Sequence, residues 1–527
     1  MIKLKKAAVL FAAGFLAFSC ATTKLQEDEE LVEYIDMEYK IQSKENLTAE
    51  ELRKDCDMLK YILYNSYAGI DEAIANGFDL DATIEQIYEQ SLLKKSLGTI
   101  SRTDFNTVIH DVMAKNLTNN DLHLSIGGRS VKAAYSIYYT NIWMEKKGDK
   151  YFVKEIRKPE KDEKEKGMIP DENPDVKTGM EFTGPESNLY EFITPDGIEY
   201  RYGVFTNTKV RTVQISLDGK NFAVPISTQK PIAQKIAWTG VKATENTIYM
   251  SLGDCSQMNG IGDEKDLRSW AWDKYQAELA ENAKGKKNII FDLRSNNGGR
   301  YEYPAKMLTS VLYSNHTDKD ELLQIEALFN NTITDGCTSL CSPLTMQHEK
   351  TLYETHWKNI FERMPEENKD FYKNYWKKIK NWPMRKHIPL HMYKCSLTEF
   401  PEPDFKGDLY VLVNRGTASA AEFGTGMTYL LQDKGVNVHI IGENSMGALK
   451  YGGMNYTQLP VSGLGVNAGL YFGESECVKA NKNWKGEGYG FIPDYYATNE
   501  TILSTLILLT KDIQLADTLK GLEKEQL

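Results

Sequence analysis

Apolar residues first settle into a helical period at residue 46. In "LTAEELRKDCDMLKYILYNSYAG", Leu52, Cys56, Leu59, Ile62 and Leu63 fall on one face. Thr48 with Glu51 is a capping-box start. The same period predicts helices over 81–94 and 102–116, the second carrying Phe105, Val108, Ile109, Val112 and Met113 inward. Residues 46–130 thus predict an N-terminal helical region. From 131 to 230 the runs are β-rich: "SIYYTNIWME", "KYFVKEI", "LYEFITP", "IEYRYGV", "VRTVQISL" and "NFAVPIS", with turns at "KGD", "PDG" and "LDG". From 231 to 527 strands alternate with helices. "TIYMSLG", "KKNIIFDLRS", "DLYVLVN" and "NVHIIGE" read as strands, and "EFGTGMTYLLQDKG" as a helix with Phe423, Met427, Leu430 and Leu431 inward. Strand, short helix, strand predicts a parallel crossover in an α/β sheet. A helical, aromatic block over 316–398 interrupts it, with Phe329, Trp357, Phe361, Tyr372, Tyr375 and Trp376. It reads as an insertion with its own core, and as a candidate lid over a site.

The ends and the composition narrow the class. "MIKLKK" is basic, "AAVLFAAGFLAF" is apolar but short, and "SC" then polar "ATTK" follow. This is the pattern of a bacterial secretory signal over 1–20, outside the fold. "LAFSC" resembles a lipoprotein cleavage box with Cys20 as the lipidated residue, which implies a chain anchored to a membrane surface in the cell envelope. Residues 21–45 then read as a tether. A chain of 527 residues is too long for one core and predicts two or three domains. The net charge of −11 with no basic stripe excludes a nucleic-acid partner. Of the seven cysteines, only Cys337 and Cys341 lie close together beyond the leader, as a bridge or as buried thiols. No Cys/His spacing describes a zinc site, and His387 with His391 lacks a third ligand. No metal and no cofactor is expected.

Two strand-to-helix corners carry the chemistry. "VLVNRGTASAAEFGTGMTYLLQ" puts Ser419 on a turn of small residues at the mouth of a parallel sheet. Such a corner exposes a hydroxyl, and the helix start lends positive potential and free N–H groups for an oxyanion. A serine there is also an ordinary helix cap. "NIIFDLRSNNGGRYEYPAKML" ends a strand with Asp292 and Arg294 and turns on Gly298 and Gly299, which permit close backbone approach. It lacks the G-x-G-x-x-G of a dinucleotide site.

Together these corners resemble the tail-specific, or carboxyl-terminal-processing, serine peptidases. "DLRSNNGG" is similar to their D-L-R-x-N-x-G-G element, and "VLVNRGTASAAE" to their nucleophile segment. "IGENSMG" is similar to G-x-x-T-x-G with Ser445 for Thr, and "GEGYGFIPD" to E-G-x-G-I-x-P-D. The elements keep the family order across 288–494. The resemblance implies a ClpP/crotonase-like catalytic domain acting on polypeptide substrates. It implies Ser419 as nucleophile and an oxyanion hole from the N–H of Ala420 with that of Gly298 or Gly299. Asp292, Arg294 and Glu422 are expected as structural corner ion pairs. The 131–230 region stands where relatives carry a PDZ domain, and reads as a degenerate version or as a module that only positions the base.

The base departs from the commonest pattern. Relatives with a Ser–Lys dyad place lysine directly after the glycine of G-x-x-T-x-G; here Ala448 follows Gly447, and the nearest lysine is Lys450. "NLTNNDLHLSIGG" is similar to the D-x-H element of the tricorn-like branch, which uses a Ser–His pair completed by a glutamate. It implies His123 as base, set on a strand opposite Leu122 and Leu124. That branch has serine before the histidine where this chain has Leu122. Glu487 and Glu474 rank nearly equal as the glutamate, Glu476 stands behind them, and Asp121 is a local orienter. The rival readings are a peptide-binding lipoprotein with altered catalysis, and a displaced dyad using Lys450. The oligomeric state is not readable.

Overall fold

A computed structural model describes residues 43–157, 172–226, 240–255, 268–352, 385–389 and 399–520. Its centre is a run of four parallel strands, in the order Thr247–Ser251, Asn288–Asp292, Asp408–Val413 and Asn437–Gly442. These strands are apolar on both faces because both faces are covered. Ile248, Met250, Ile289, Phe291, Leu409, Val411, Val413 and Ile440 point into one core, shared with Leu279, Leu308, Phe423 and Met427. Tyr249, Ile290, Tyr410, Leu412 and Ile441 point the other way, against Ile502, Leu506 and Leu515. The predicted helix after the third strand spans Ala420–Thr428 and tightens into a 3₁₀ turn over Tyr429–Lys434.

The sheet does not stop at the edge of this block. Tyr495–Tyr496 pairs with Asn437–Gly442, and Tyr496 stands opposite Phe192. Leu189–Thr194 joins in parallel at Tyr496, Gly197–Thr206, Ser136–Lys147 and Lys150–Ile156 follow antiparallel, and with Gly240–Ala243 antiparallel to Thr247–Ser251 on the far edge the sheet has ten strands. The boundary expected at 230/231 is thus crossed by the sheet. Thr212–Leu217 and Lys220–Pro225 form a separate hairpin.

The N-terminal helices span Ala49–Ser66, Ile70–Ala75, Leu80–Leu93 and Arg102–Asn116, and Thr48 caps the first as the capping box predicts. Their apolar face does not close on itself. Leu52, Leu59, Ile62 and Phe105 share a cluster with Tyr451, Leu459, Leu464, Val466 and Ala468. Those residues belong to the hairpin Tyr451–Gln458 and Gly465–Phe472 and its turn, in a second sheet of six strands. Buried Asp55 fixes the hairpin's turn, accepting the N–H groups of Val461 at 2.8 Å and Ser462 at 2.9 Å. Ser125–Ile126 then pairs with Val466 and Asn467 of the same hairpin. This places the His123 segment against the catalytic block.

The insertion differs from expectation where it is described. Helix Lys319–Ile333 sends Phe329 and Ile333 into the catalytic core, with Phe329 at 5.0 Å from Phe400, instead of into a core of its own. Trp357, Phe361, Tyr372, Tyr375, Trp376, His391 and Cys395, and with them most of the expected lid, lie outside the described residues, as do Cys20 and nearly all of the tether. Cys337 and Cys341 are both buried, and no disulfide joins them. His387 faces Asp71 at 3.0 Å. Among the described residues, no helix is long and apolar enough to cross a membrane.

Candidate active site

Ser419 stands between the end of Asp408–Val413 and the start of Ala420–Thr428, half-buried, at φ 53° and ψ −120°. That backbone is costly for any residue with a Cβ, about 1–3 kcal/mol, and persists only where neighbours hold it. Here they do. Asn414 Oδ1 accepts the N–H groups of Ser295 at 2.8 Å and Gly416 at 2.9 Å. The Thr417 hydroxyl donates to the Leu293 carbonyl at 2.8 Å and accepts the Asn414 N–H at 3.0 Å. Ala418 N–H donates to the Asn296 carbonyl at 2.9 Å. Each bond joins the corner to itself or to its neighbour, so the two corners form one unit. Asn296, Asn414 and Thr417 were not singled out by sequence reasoning. Their signal is there: Asx and Thr residues at strand ends that bond the backbone of a turn.

Gly298, at φ 99°, brings the second corner against the first. A Cβ on it would lie 2.5 Å from Ser419 Cβ and 3.0 Å from Ala420 N. Its own N–H donates to Asn296 Oδ1 at 2.9 Å. Among the described residues, the N–H groups of Gly299 and Ala420 have no acceptor. Below this loop Arg294 and Asp292 form the expected buried ion pair at 2.6 Å, and the Tyr249 hydroxyl donates to Asp292 at 2.7 Å.

Glu422 is buried, as expected of a structural residue, but its partners are not cations. One oxygen accepts the Ser445 hydroxyl at 2.5 Å and the Gly447 N–H at 2.7 Å. The other accepts the N–H groups of Ala448 at 2.6 Å and Ser419 at 3.1 Å. Burial pushes its acid up to about 7, against the pull of the Ser445 hydroxyl and these N–H groups. Ser445 fills the place of the family threonine by also accepting the Phe491 N–H at 2.7 Å. The carboxylate therefore ties the Ser419 backbone to the 445–448 loop.

His123 lies on a bend, not on the strand expected, which begins only at Ser125. Asp121 makes the bend: its Oδ1 accepts the N–H groups of His123 at 2.6 Å and Leu124 at 3.1 Å. A ring nitrogen of His123 and one oxygen each of Asp121 and Glu487 lie within 4.8 Å of one another. Glu487 spans two segments, accepting the Leu122 N–H at 3.4 Å on one oxygen and those of Leu449 at 2.9 Å and Lys450 at 2.8 Å on the other. The Leu122 side chain packs with Ala418, the residue before Ser419, and with Ala448. Burial lowers the His123 imidazole to about 4 and raises Asp121 to about 6. Glu487 is held well above the carboxylate range by burial and then by the Asp121 charge. Among the described residues, no hydrogen bond joins the imidazole to Ser419.

The other candidates are placed elsewhere. Glu474 lies beside Cys337 and Lys479, and is not grouped with His123. Glu476 is exposed and paired with Lys479. The Lys450 ammonium is paired with Glu72 at 2.6 Å and sits over the Phe472 ring at 5.1 Å.

Comparison with curated protein sequences finds no match. Among solved structures, mature CPAF is similar over 89% of this chain and 97% of its own, at 14% identity and a TM-score of 0.40. The photosystem II D1 C-terminal processing protease is similar over 88% of this chain and 96% of its own, at 13% identity and a TM-score of 0.31. The tricorn protease covers 91% of this chain with 37% of its own, at 12% identity and a TM-score of 0.31. Residues 258–497, which hold both corners, Glu422 and Glu487, match peptidase family S41, a family of serine peptidases.

Proposed function

We propose that the protein is an exported serine endopeptidase, anchored to a bacterial membrane through Cys20, which cleaves polypeptides with Ser419 as nucleophile and His123 as base. The observation that carries this reading is the corner itself. A serine is held in a strained turn beside two uncommitted N–H groups, those of Gly299 and Ala420. Ser419 Oγ attacks the carbonyl while His123 takes its proton. The oxyanion forms against the N–H groups of Gly299 and Ala420, with Gly298 as the spacer that lets them meet. Each such donor is worth about 3 kcal/mol of barrier. His123 then returns its proton to the leaving amine, and water repeats the sequence on the acyl-enzyme.

Glu487 serves as the carboxylate behind the imidazole, and Asp121 sets the bend. Where the tricorn-like branch has a serine hydroxyl before the histidine, the Leu122 N–H makes the link to Glu487. Catalytic contacts often close only in the substrate complex, so the open Ser419–His123 distance fits a free enzyme. It is also what favours the second reading, a peptide-binding lipoprotein. A displaced Ser–Lys dyad is disfavoured by the Lys450–Glu72 pair. We read the catalytic domain as ClpP/crotonase-like, and 131–230 as a degenerate PDZ-like module merged into its sheet. A fluorophosphonate probe tests the function. It labels the wild-type protein and not Ser419→Ala; a wild type that does not label supports the binding reading instead.

A further inference from the structure

The His123 cluster holds more donor capacity than a proton relay uses. Among the described residues, Nδ1 of His123 and Oδ2 of Asp121 are both buried without a hydrogen-bond partner, although a ring nitrogen and the two carboxylates lie within 4.8 Å of one another. The remaining carboxylate oxygens are already fixed by backbone. Asp121 Oδ1 takes the N–H groups of His123 and Leu124, and Glu487 Oε2 takes those of Leu449 and Lys450. The Tyr67 phenol, buried, stands close to Asp121. This is a set of pre-positioned ligands with their outer partners in place.

We propose that Asp121, His123 and Glu487 form a binding site for a divalent transition-metal ion, zinc by preference, and that the ion switches the peptidase off. Zinc binds imidazole and carboxylate at about 2.0–2.2 Å, so two donors sharing one tetrahedral ion stand about 3.4 Å apart. Donors within 4.8 Å of one another reach that separation with a small movement. One nitrogen and two oxygens suit zinc, whereas calcium and magnesium take six or more oxygens. Three protein ligands leave a fourth position for water. The charge also fits. Two carboxylates held with an oxygen each within 4.8 Å of one another repel. A dication relieves that repulsion directly.

The switch follows from the imidazole's two nitrogens. A neutral ring that gives one lone pair to a metal carries its proton on the other nitrogen. It then has no lone pair to accept the Ser419 proton. This consequence rests on the Ser–His reading; the binding does not.

The two are separated by measuring binding in the full chain carrying Ser419→Ala. Zinc chloride titrated against a chromophoric zinc chelator is expected to give one equivalent bound, and cobalt(II) in its place the visible bands of a four-coordinate ion. Asp121→Asn keeps an oxygen for the two N–H groups of the bend, and His123→Gln keeps bulk. Each is expected to weaken binding at least tenfold while melting like the parent in the absence of zinc. Affinity unchanged in both variants, or no zinc bound by the parent, overturns the site. In the wild type, one equivalent of zinc is expected to abolish fluorophosphonate labelling and EDTA to restore it; bound zinc with undiminished labelling overturns the switch. Zinc bound by a wild type that never labels upholds the site and removes the peptidase reading.

Discussion

Gly298→Ala tests whether the two corners must touch. At φ 99° any side chain is strained, by about 1–2 kcal/mol for a left-handed backbone. The added methyl also has nowhere to go. It would stand 2.5 Å from Ser419 Cβ, 2.9 Å from the Ala418 carbonyl oxygen and 3.0 Å from Ala420 N. None of these is the free end of a flexible side chain, so the corner itself must move. A shift of about 1 Å at a reacting group costs about a hundredfold in rate. The methyl also crowds the Ala420 N–H, and losing one oxyanion donor costs about 10²–10³-fold. The expected loss in kcat/KM is at least a hundredfold.

Gly336→Ala is the matched control. Its φ is 88°, but the nearest atom to an added Cβ is the Glu474 carbonyl oxygen, 3.9 Å away. It carries the backbone strain without the clash, so it is expected to lose about 1–2 kcal/mol of stability and no activity. Urea unfolding gives the first quantity. The second-order rate of fluorophosphonate labelling, with kcat/KM on a fluorogenic peptide, gives the other. A folded Gly298→Ala protein labelling within threefold of wild type refutes the argument, and so does an equal loss in Gly336→Ala.

His123→Ala is expected to cost about as much activity as Ser419→Ala, and the double variant no more, because nucleophile and base act as a unit; Lys450→Ala retains most activity, and the reverse pattern in peptide kinetics establishes a Ser–Lys dyad. Burial holds His123 at about 4, with Asp121 and Glu487 facing it, so the neutral base persists in acid and the limb of kcat/KM falls below pH 6. The same depression makes the unfolded chain bind the extra proton first, so this stability is present above pH 6.5 and lost as pH falls toward 4; His123→Gln flattens that slope in urea midpoints. Glu422→Gln turns an amide donor toward N–H groups that need an acceptor, and is expected to cost about 2–4 kcal/mol in unfolding together with the labelling rate.

The central strands were legible because burial on both faces leaves no polar alternation to confuse them. "NIIFD" and "DLYVLV" read as strands with no knowledge of their neighbours, and the Ser419 corner was marked by its small residues. Contacts between distant segments were not legible. The N-terminal helices read as a region of their own, because nothing in their period says that Tyr451, Leu464 and Val466 complete their core. The insertion read as self-contained for the same reason, although Phe329 belongs to the catalytic core. Glu422 was expected to seek a cation. Its carboxylate instead meets backbone N–H groups from a loop more than twenty residues away in sequence, as with Gly447 and Ala448. Glu487 and Glu474 could not be separated by sequence because both follow a glycine near the end of the domain. Only the chain's path sets one beside His123.

That path makes the site conditional on docking. Ser419, Gly299, Ala420 and Glu487 all come from the segment that matches the family, but His123 lies upstream of it. Two things bring the histidine in. Ser125–Ile126 pairs with Gly465–Phe472, and Glu487 accepts N–H groups from Leu122 on one side and from Leu449 and Lys450 on the other. Lys450 then reaches Glu72 on the N-terminal helix Ile70–Ala75, and Tyr451 donates to the same carboxylate at 2.6 Å. The lysine that looked like a rival base thus fastens the region that delivers the imidazole. Loosening Glu72 from this pair should move His123 before it disturbs Ser419, because the serine corner is held by Asn296, Asn414, Thr417 and Glu422 instead.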